Sequence, residues 1–212
     1  MLRVLIFLSV AYVARCSICC VPRQWEGTEG STIGLVREGA PNSNFIQSSV
    51  NIAYDAINQR VAATQYVDVD GYPLMAKIIM DYKNGVQYSI NGTTCVRTTL
   101  PAFQENCIPD DAQETQTTIG AGGKTLSLKS YIMVVGNLTV TSSVTEAGCI
   151  PVSESIVGHS PGQYIHMTTG YSGIVPGISD PSVFTPPFMC MAGPIYPAEV
   201  SMMKRVSFLH PL

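Results

Sequence analysis

Charged side chains are scarce in this sequence. Lysine, arginine, aspartate and glutamate make up 13% of its 212 residues, and the formal net charge is −3. Proteins that bind a nucleic-acid backbone use clustered basic side chains to release counterions from the phosphates. With 12 basic residues set against 15 acidic ones, the composition argues against a nucleic-acid partner.

Residues that commonly hold metals are also few. The sequence has three histidines: His159, His166 and His210. They lack the paired spacing of a zinc site. The Asp-Val-Asp-Gly run at 68–71 resembles the start of a calcium loop, but the glutamate that would complete the ligand set is replaced by Lys77. A plain turn is the better interpretation, and Asp68 and Asp70 are kept as candidate calcium ligands.

The apolar run near the start is too short for a transmembrane helix, which needs about 20 apolar residues. It follows Arg3 and ends before Arg15, and small residues precede Ser17. A charge, a short apolar segment and a small-residue cleavage point are the features of a secretory signal. We therefore expect residues 1–16 to be a signal peptide and residues 17–212 to form one secreted domain. A membrane anchor is the alternative, and the length and flanks argue against it.

Removal of the signal peptide also removes Cys16. The remaining cysteines are Cys19, Cys20, Cys95, Cys107, Cys149 and Cys190. An even number of cysteines in a secreted chain predicts disulfides, here three, formed in an oxidising compartment. Spacing alone does not determine which cysteines pair.

Helical periodicity is rare. Most of the chain consists of short β-branched and aromatic runs that alternate with the period of a half-buried strand and are separated by Gly, Pro, Asn and Asp. The expected fold is all-β with few short helices. Predicted strands cover residues 32–37, 50–55, 60–68, 125–135, 138–144, 151–157 and 163–168.

The clearest hairpin joins residues 76–82 to residues 86–90 through Asn84-Gly85. This dipeptide favours a type I′ turn, in which both central residues have positive φ. Residues 100–123 lack periodicity and predict a long loop. Residues 198–208 have the apolar spacing of a short amphipathic helix.

One pentapeptide resembles a hydrolase motif. Residues 158–162 read Gly-His-Ser-Pro-Gly and match the G-x-S-x-G nucleophile elbow. The residue after Ser160 must donate a backbone N–H to the oxyanion hole, and Pro161 has none. We therefore interpret the pentapeptide as a turn and expect no enzymatic activity.

Two sites fit the acceptor pattern for N-glycosylation. Asn91-Gly92-Thr93 follows the predicted hairpin, and Asn137-Leu138-Thr139 begins a predicted strand. In a secreted chain such sites lie on exposed turns. We expect glycans at Asn91 and Asn137.

Five collinear segments carry a family resemblance. Residues 19–27 read Cys-Cys-Val-Pro-Arg-Gln-Trp-Glu-Gly, and residues 54–61 read Tyr-Asp-Ala-Ile-Asn-Gln-Arg-Val. A Tyr-Lys-Asn-Gly-Val hairpin follows at 82–86 and a Cys-Ile-Pro-Val at 149–152. Residues 180–190 read Asp-Pro-Ser-Val-Phe-Thr-Pro-Pro-Phe-Met-Cys. On these segments the chain resembles the ependymin-related family.

The resemblance implies two antiparallel sheets curved into an open half-barrel around a hydrophobic pocket. Such a fold is similar to those of bacterial lipoprotein carriers, and it often forms a homodimer. The resemblance also implies disulfides between Cys19 and Cys149 and between Cys95 and Cys190. The cysteines of the family's third bridge are missing. Cys20 and Cys107 remain, and they could pair with each other, pair between chains or stay free.

The function that the resemblance implies is that of a non-enzymatic secreted glycoprotein with a hydrophobic, lipid-like ligand between its sheets. Flexible thioethers suit such a pocket, although ordinary core filling is as good an explanation. Candidate pocket residues are Met75, Met80, Met133 and Met167, with Tyr88 on the hairpin.

The alternative is a calcium-binding component of the extracellular matrix or of cell-matrix adhesion. The family includes calcium-binding glycoproteins, so the resemblance makes calcium the one possible cofactor. It adds Asp110 and Asp111 to Asp68 and Asp70 as candidate ligands.

Overall fold

The computed structural model describes residues 18–39, 43–69, 72–160 and 162–197, and it confirms the all-β class. The strands are β1 (Cys19–Cys20), β2 (Gln24–Arg37), β3 (Ser43–Asp55), β4 (Arg60–Val69), β5 (Tyr72–Asp81), β6 (Val86–Asn91), β7 (Thr94–Thr99), β8 (Cys107–Ile108), β9 (Gln113–Ala121), β10 (Lys124–Val135), β11 (Leu138–Thr145), β12 (Pro151–Ser160), β13 (Gln163–Pro176) and β14 (Ile195–Tyr196). Two short 3₁₀ turns, Pro181–Phe184 and Phe188–Cys190, lie before β14. The predicted signal peptide and the predicted helix at 198–208 lie outside the described residues, and the single-domain organisation stays a prediction.

Twelve strands form one open sheet in the order β14-β7-β6-β5-β4-β3-β2-β13-β12-β11-β10-β9. Its neighbouring strands are antiparallel, apart from the short parallel pair of β14 and β7. The edge strands β9 and β14 do not pair, so the sheet is not a closed barrel. The resemblance implied two sheets. Here both halves belong to one sheet, because β2 pairs with β3 on one side and with β13 on the other.

Each predicted strand lies within an observed strand, but the predicted loop at 100–123 is wrong in its second half. Residues Gln113–Ala121 form β9, an edge strand of the sheet. Every residue of β9 is exposed. A strand with no buried face has no hydrophobic alternation, which is why the sequence pattern did not reveal it.

The predicted hairpin joins β5 to β6, but its turn is not type I′. Four residues separate the closing pair Asp81 and Val86. Of the turn residues only Gly85 has positive φ, at 65°. The Asp81 carboxylate accepts hydrogen bonds from the Asn84 backbone N–H at 3.1 Å and from its side-chain amide at 2.6 Å. This side-chain contact stabilises the longer turn.

Strand pairing assigns alternate residues to the two faces of the sheet. We call the face that carries Trp25, Val50, Tyr131 and Val140 the inner face, because these side chains are buried on it. Two apolar clusters lie on this face, one over β10–β13 and one over β2–β5. The small ribbon of β1 and β8 packs against the first cluster through Cys19 and Ile108.

The opposite, outer face is covered only in part. Over β3–β6 the 3₁₀ turns bury Phe184 against Ala53 and Ala62, and Cys190 against the hairpin residue Tyr88. Over β11–β13 this face carries small polar side chains such as Thr139, Ser153 and Thr168. The inner face is therefore the one with the continuous apolar surface.

Three disulfides join the described parts of the chain. Cys19 bonds to Cys149 and Cys95 to Cys190, which are the pairings that the resemblance implies. Cys20 bonds to Cys107, the first of the three arrangements left open for these two cysteines. The Cys20–Cys107 bridge joins the two strands of the ribbon to each other, and the Cys19–Cys149 bridge attaches the ribbon to the segment between β11 and β12.

The turn between β3 and β4 is organised by one buried carboxylate. Asp55 accepts hydrogen bonds from the Gln24 amide at 2.9 Å, the Asn58 amide at 2.8 Å and the Arg60 Nε at 2.8 Å. Burial alone would raise the pKa of Asp55, but the hydrogen bonds from Asn58, Gln24 and Arg60 outweigh it and lower the pKa from 3.8 to about 2. The charged form is the one that stabilises the fold.

Replacement of this carboxylate by an amide gives a pH-dependent loss of stability. A folded-state pKa below the unfolded value contributes stability above pH 3.8 that is lost as the pH falls toward 2. We expect Asp55→Asn to lower the free energy of unfolding by about 2 kcal/mol at pH 7, and we expect this difference to shrink between pH 4 and pH 2. Urea unfolding across that range measures it. Asp81→Asn is the control, because Asp81 also accepts a hydrogen bond from an asparagine amide but is less buried than Asp55. A deficit for Asp55→Asn that stays constant down to pH 2 would contradict the assignment.

Candidate functional site

A row of apolar side chains crosses the inner face. Strand register aligns seven members on seven of eight neighbouring strands from β5 to β10, and on β4 the register position between Tyr72 and Ile46 is that of Val69. We call it the apolar row; its members are Tyr72, Ile46, Ile33, Met167, Ile156, Val140 and Met133. Because neighbouring strands lie about 4.8 Å apart, the row is roughly 34 Å long when measured along the sheet.

The apolar row is covered at one end and open at the other. Over β10–β12, Met133, Val140 and Ile156 are buried under the ribbon residues Cys19 and Ile108. In the middle of the sheet, Ile33, Ile46 and Met167 are half-buried. At β5, Tyr72 is 75% exposed, and Leu74, two residues further on the same face, is 57% exposed. The row is therefore an apolar track with one solvent-accessible end.

A row of polar side chains runs beside it, two residues along each strand. We call it the polar row; it consists of Ser48, Ser31, Thr169, Glu154, Ser142 and Tyr131. The Ser31 hydroxyl donates to Glu29 at 2.7 Å and lies 3.0 Å from the Thr169 hydroxyl. Ser142 donates to Glu154 at 3.2 Å. The inner face is thus amphipathic, with hydroxyl and carboxyl groups next to an apolar track.

Two carboxylates, Glu29 and Glu154, are each 2% exposed in this polar region. Tyr171 pairs with Glu29 across β13 and β2. Burial, followed by the negative charges of Glu154 and Glu29, raises the pKa of Tyr171 well above its usual value. The Tyr171 phenol therefore keeps its proton and can donate a hydrogen bond at any physiological pH.

The predicted pocket residues do not form one site. Met133 and Met167 both belong to the apolar row. Met80 is buried in the second inner-face cluster, packed with Trp25 and Tyr54. Tyr88 lies on the outer face against Cys190, so the sheet separates it from Met133 and Met167. The alternation of buried and more exposed residues in β6 was predicted correctly. Such alternation does not show which apolar cluster the buried side chains belong to.

The outer face carries a separate open groove of about 550 Å³. Its walls are two lines of register-paired side chains, which include Tyr66 and Met75 on one side and Gln47, Asp68 and Pro73 on the other. Met75, also named from sequence, therefore faces away from the apolar row. Nothing lies within 4 Å of a Cβ built on Gly30, so the groove remains open at its β2 end.

The candidate calcium ligands that the structure describes lie on separate elements. Asp68 lies on β4, Asp110 and Asp111 lie between β8 and β9, and Asp70 falls outside the described residues. Within the described ranges, no group of three or more His, Cys, Asp or Glu side chains is placed to hold a metal ion.

Both glycosylation acceptors lie at exposed hairpin turns. Asn91 ends β6 and is paired with Thr94 across the β6–β7 turn. Asn137 lies in the two-residue turn between β10 and β11, next to Gly136 with φ 60°. Both side chains are exposed, so each is accessible to a glycan.

The Gly-x-Ser-x-Gly pentapeptide lies at a β-hairpin. Gly158, His159 and Ser160 are the last residues of β12 and pair with Ile165, Tyr164 and Gln163 of β13. A nucleophile elbow needs a strand that passes into a helix, whereas this segment passes from one strand directly into the next.

Sequence reasoning missed the buried carboxylates, although a signal was present. Glu154 stands at an inward position of β12, two residues before Ile156. A charged residue in phase with buried apolar ones marks a polar site on a core face.

In the described part of the chain, no helix is both long and apolar enough to cross a membrane.

Comparison with known proteins gives a consistent set of relatives. The Ependymin family model matches residues 73–190. Ependymin-related protein 1 of Haliotis asinina is 29% identical over 204 residues, which cover 90% of this chain and 99% of the relative. Mammalian ependymin-related protein 1 of Mus musculus is 27% identical over 188 residues, which cover 82% of this chain and 76% of the relative.

Similar solved structures match only loosely. A LolA superfamily protein from Nitrosomonas europaea has 9% identity and a TM-score of 0.32, and the match covers 79% of this chain and 92% of that one. A beta-barrel-like protein from Brucella abortus has 8% identity and a TM-score of 0.29, over 74% of this chain and 98% of that one. Likeness at this level does not transfer a ligand.

The family model spans more than half of the chain, from the start of β5 to the cysteine that closes the Cys95–Cys190 bridge. The Haliotis and mouse relatives extend the similarity over most of the remainder. This chain belongs to the ependymin family.

Proposed function

We propose that this protein is a secreted, non-enzymatic glycoprotein that holds a hydrophobic ligand on the inner face of its sheet. The observation that carries the proposal is the apolar row, which is buried under the ribbon at Met133 and exposed at Tyr72. A folded protein usually covers such a track completely, unless another molecule occupies it.

The length and width of the apolar row suit an extended acyl chain. Each buried methylene contributes about 0.8 kcal/mol, so a chain lying along the half-buried residues Ile33, Ile46 and Met167 would gain several kcal/mol. The ligand would displace water from the part of these side chains that is exposed. The single open end at Tyr72 and Leu74 is the natural entry point.

The polar row supports an amphipathic ligand in preference to a pure hydrocarbon. Ser48, a half-buried member of this row, lies beside Ile46 on the same strand. A hydroxyl, ester or amide end of the ligand could form hydrogen bonds there while its tail follows the apolar row. Few, well-placed polar groups in an apolar site are typical of small-molecule sites.

Secretion and glycosylation rest on independent features. Three disulfides are stable in an oxidising compartment and rare in a reducing one. The exposed turn positions of Asn91 and Asn137 support N-linked glycans at both. The hairpin position of Ser160 supports a non-enzymatic role, since it leaves the motif without its required geometry.

Calcium-dependent matrix or adhesion activity is the alternative function that the family resemblance implies. The same resemblance implies a homodimer. We keep both as predictions, since no contact among the described residues favours either. Native mass spectrometry of the protein secreted from cells and purified without detergent, followed by organic extraction and a calcium titration, tests all three. A stoichiometric lipid supports the carrier; an empty protein whose assembly state changes with calcium supports the alternative.

A pair of adjacent substitutions tests which face holds the ligand. Leu74 and Met75 are both 57% exposed, and they point to the inner and the outer face respectively. We expect Leu74→Lys to weaken binding of a fluorescent fatty acid, added from solution, by at least about tenfold, because it places a charge at the mouth of the apolar row. Met75→Lys is the matched control and should bind normally. Weaker binding in Met75→Lys alone would move the ligand to the outer groove and contradict the proposal.

Glycan occupancy is tested at each acceptor separately. We expect Asn91→Gln and Asn137→Gln each to remove one glycan's mass from the secreted protein, because both side chains are exposed at turns. Intact-mass measurement before and after enzymatic deglycosylation gives the count. A protein whose mass equals that of the unmodified chain would refute this part of the proposal.

A further inference from the structure

Large apolar side chains are exposed together at one end of the sheet. We call this set the apolar rim: Val36, Phe45, Tyr66, Tyr72, Leu74 and Met75. Each is between 44% and 75% exposed. All lie toward the same end of β2–β5, where β2 and β4 finish and β3 and β5 begin.

The apolar rim occupies both faces of the sheet. Tyr72 and Leu74 share the inner face, whereas Tyr66 and Met75 share the outer face. Phe45 is also on the outer face, at the start of β3. A flat protein partner that packed on one face would leave the other set in water. A fluid phase that surrounds the end of the strands removes both sets from water at once.

The charges around the apolar rim are mixed. On the described parts of β2 and β4 and at the residue after β2, the flanking charged side chains are Arg37 on β2, Glu38 directly after β2 and Asp68 on β4. This balance gives no electrostatic preference for an anionic surface. Tyr66 and Tyr72 provide rings with a polar tip, which suit the boundary between lipid headgroups and acyl chains. The chemistry fits a neutral, zwitterionic bilayer surface.

We propose that the apolar rim docks on the surface of a lipid bilayer, with its side chains inserted at the headgroup level. The described backbone of β2–β5 is hydrogen-bonded within the sheet, which lowers the cost of placing these strands close to the bilayer. Tyr72 and Leu74 belong both to the rim and to the open end of the inner face. A ligand could therefore pass between bilayer and apolar row with little exposure to water.

This inference rests on the proposed function for its purpose, but its test is independent. The experiment uses the full secreted protein after removal of its N-glycans, because Asn137 lies at the same end of the sheet as the rim. The protein is mixed with phosphatidylcholine vesicles and floated in a density gradient. We expect the wild type to float and Phe45→Lys/Met75→Lys to lower vesicle partition by at least about tenfold. Ile57→Lys is the matched control: Ile57 is 53% exposed in the turn at the opposite end of β3 and β4, and its replacement should leave flotation unchanged.

Binding of a fluorescent fatty acid from solution is measured on the same variants. Because their inner face is unchanged, we expect them to bind it, and this measurement separates the ligand-site proposal from the docking proposal. Fatty-acid binding without flotation of the wild type, or with equal flotation of the double variant, overturns rim docking and leaves the ligand site standing. Flotation that depends on the rim without fatty-acid binding supports docking and removes the ligand site. The double variant could also change from dimer to monomer in sedimentation while its flotation stays unchanged. That result would mean that the rim is the interface with a second copy of the chain, and it would overturn the proposal. If the double variant fails to fold, the two single substitutions provide the same comparison.

Discussion

The pairing of β2 with both β3 and β13 is the interaction on which the rest of the structure depends. It joins the strands before residue 100 to those after residue 112 in one sheet. Its register places Ser31 between Ser48 and Thr169, and Ile33 between Ile46 and Met167. A slip of one residue would turn the β2 members of both rows to the outer face, because side chains alternate with a period of two.

A second constraint acts on the inner face. Among the described residues, the ribbon of β1 and β8 shares no strand pairing with the large sheet; the Cys20–Cys107 disulfide closes the ribbon and the Cys19–Cys149 disulfide attaches it. These bridges close loops of 130 and 87 residues in sequence separation, and each such loop contributes about 2–5 kcal/mol in the chain-entropy model. The ribbon buries the apolar row only over β10–β12. The asymmetry between a covered half and an open half of the same surface is what makes this face a candidate site.

The parts of the fold that were predictable share one feature: a buried face next to a wet one. Strands β6 and β11 show this alternation, as in Leu138, Val140, Ser142 and Val144, which are all buried between more exposed neighbours. Strand β9 was missed because both of its faces are exposed. For the candidate site, Met133 and Met167 were identified as apolar inward positions. Tyr88 has the same pattern but lies in a cluster on the outer face. Periodicity shows that a side chain is buried, not which cluster receives it.

The sequence by itself determined the all-β class, the strands with one buried face and the family, since these depend on local alternation, turn residues and collinear segments. Only the tertiary structure decided that the strands form a single sheet, that Cys20 pairs with Cys107, and that Glu29 and Glu154 are buried beside Tyr171. It also decided that Tyr72 and Leu74 remain exposed while Met133 is covered. The physical reason is that these properties arise from contacts between residues more than 80 positions apart in the chain, and local pattern carries no information about such distances.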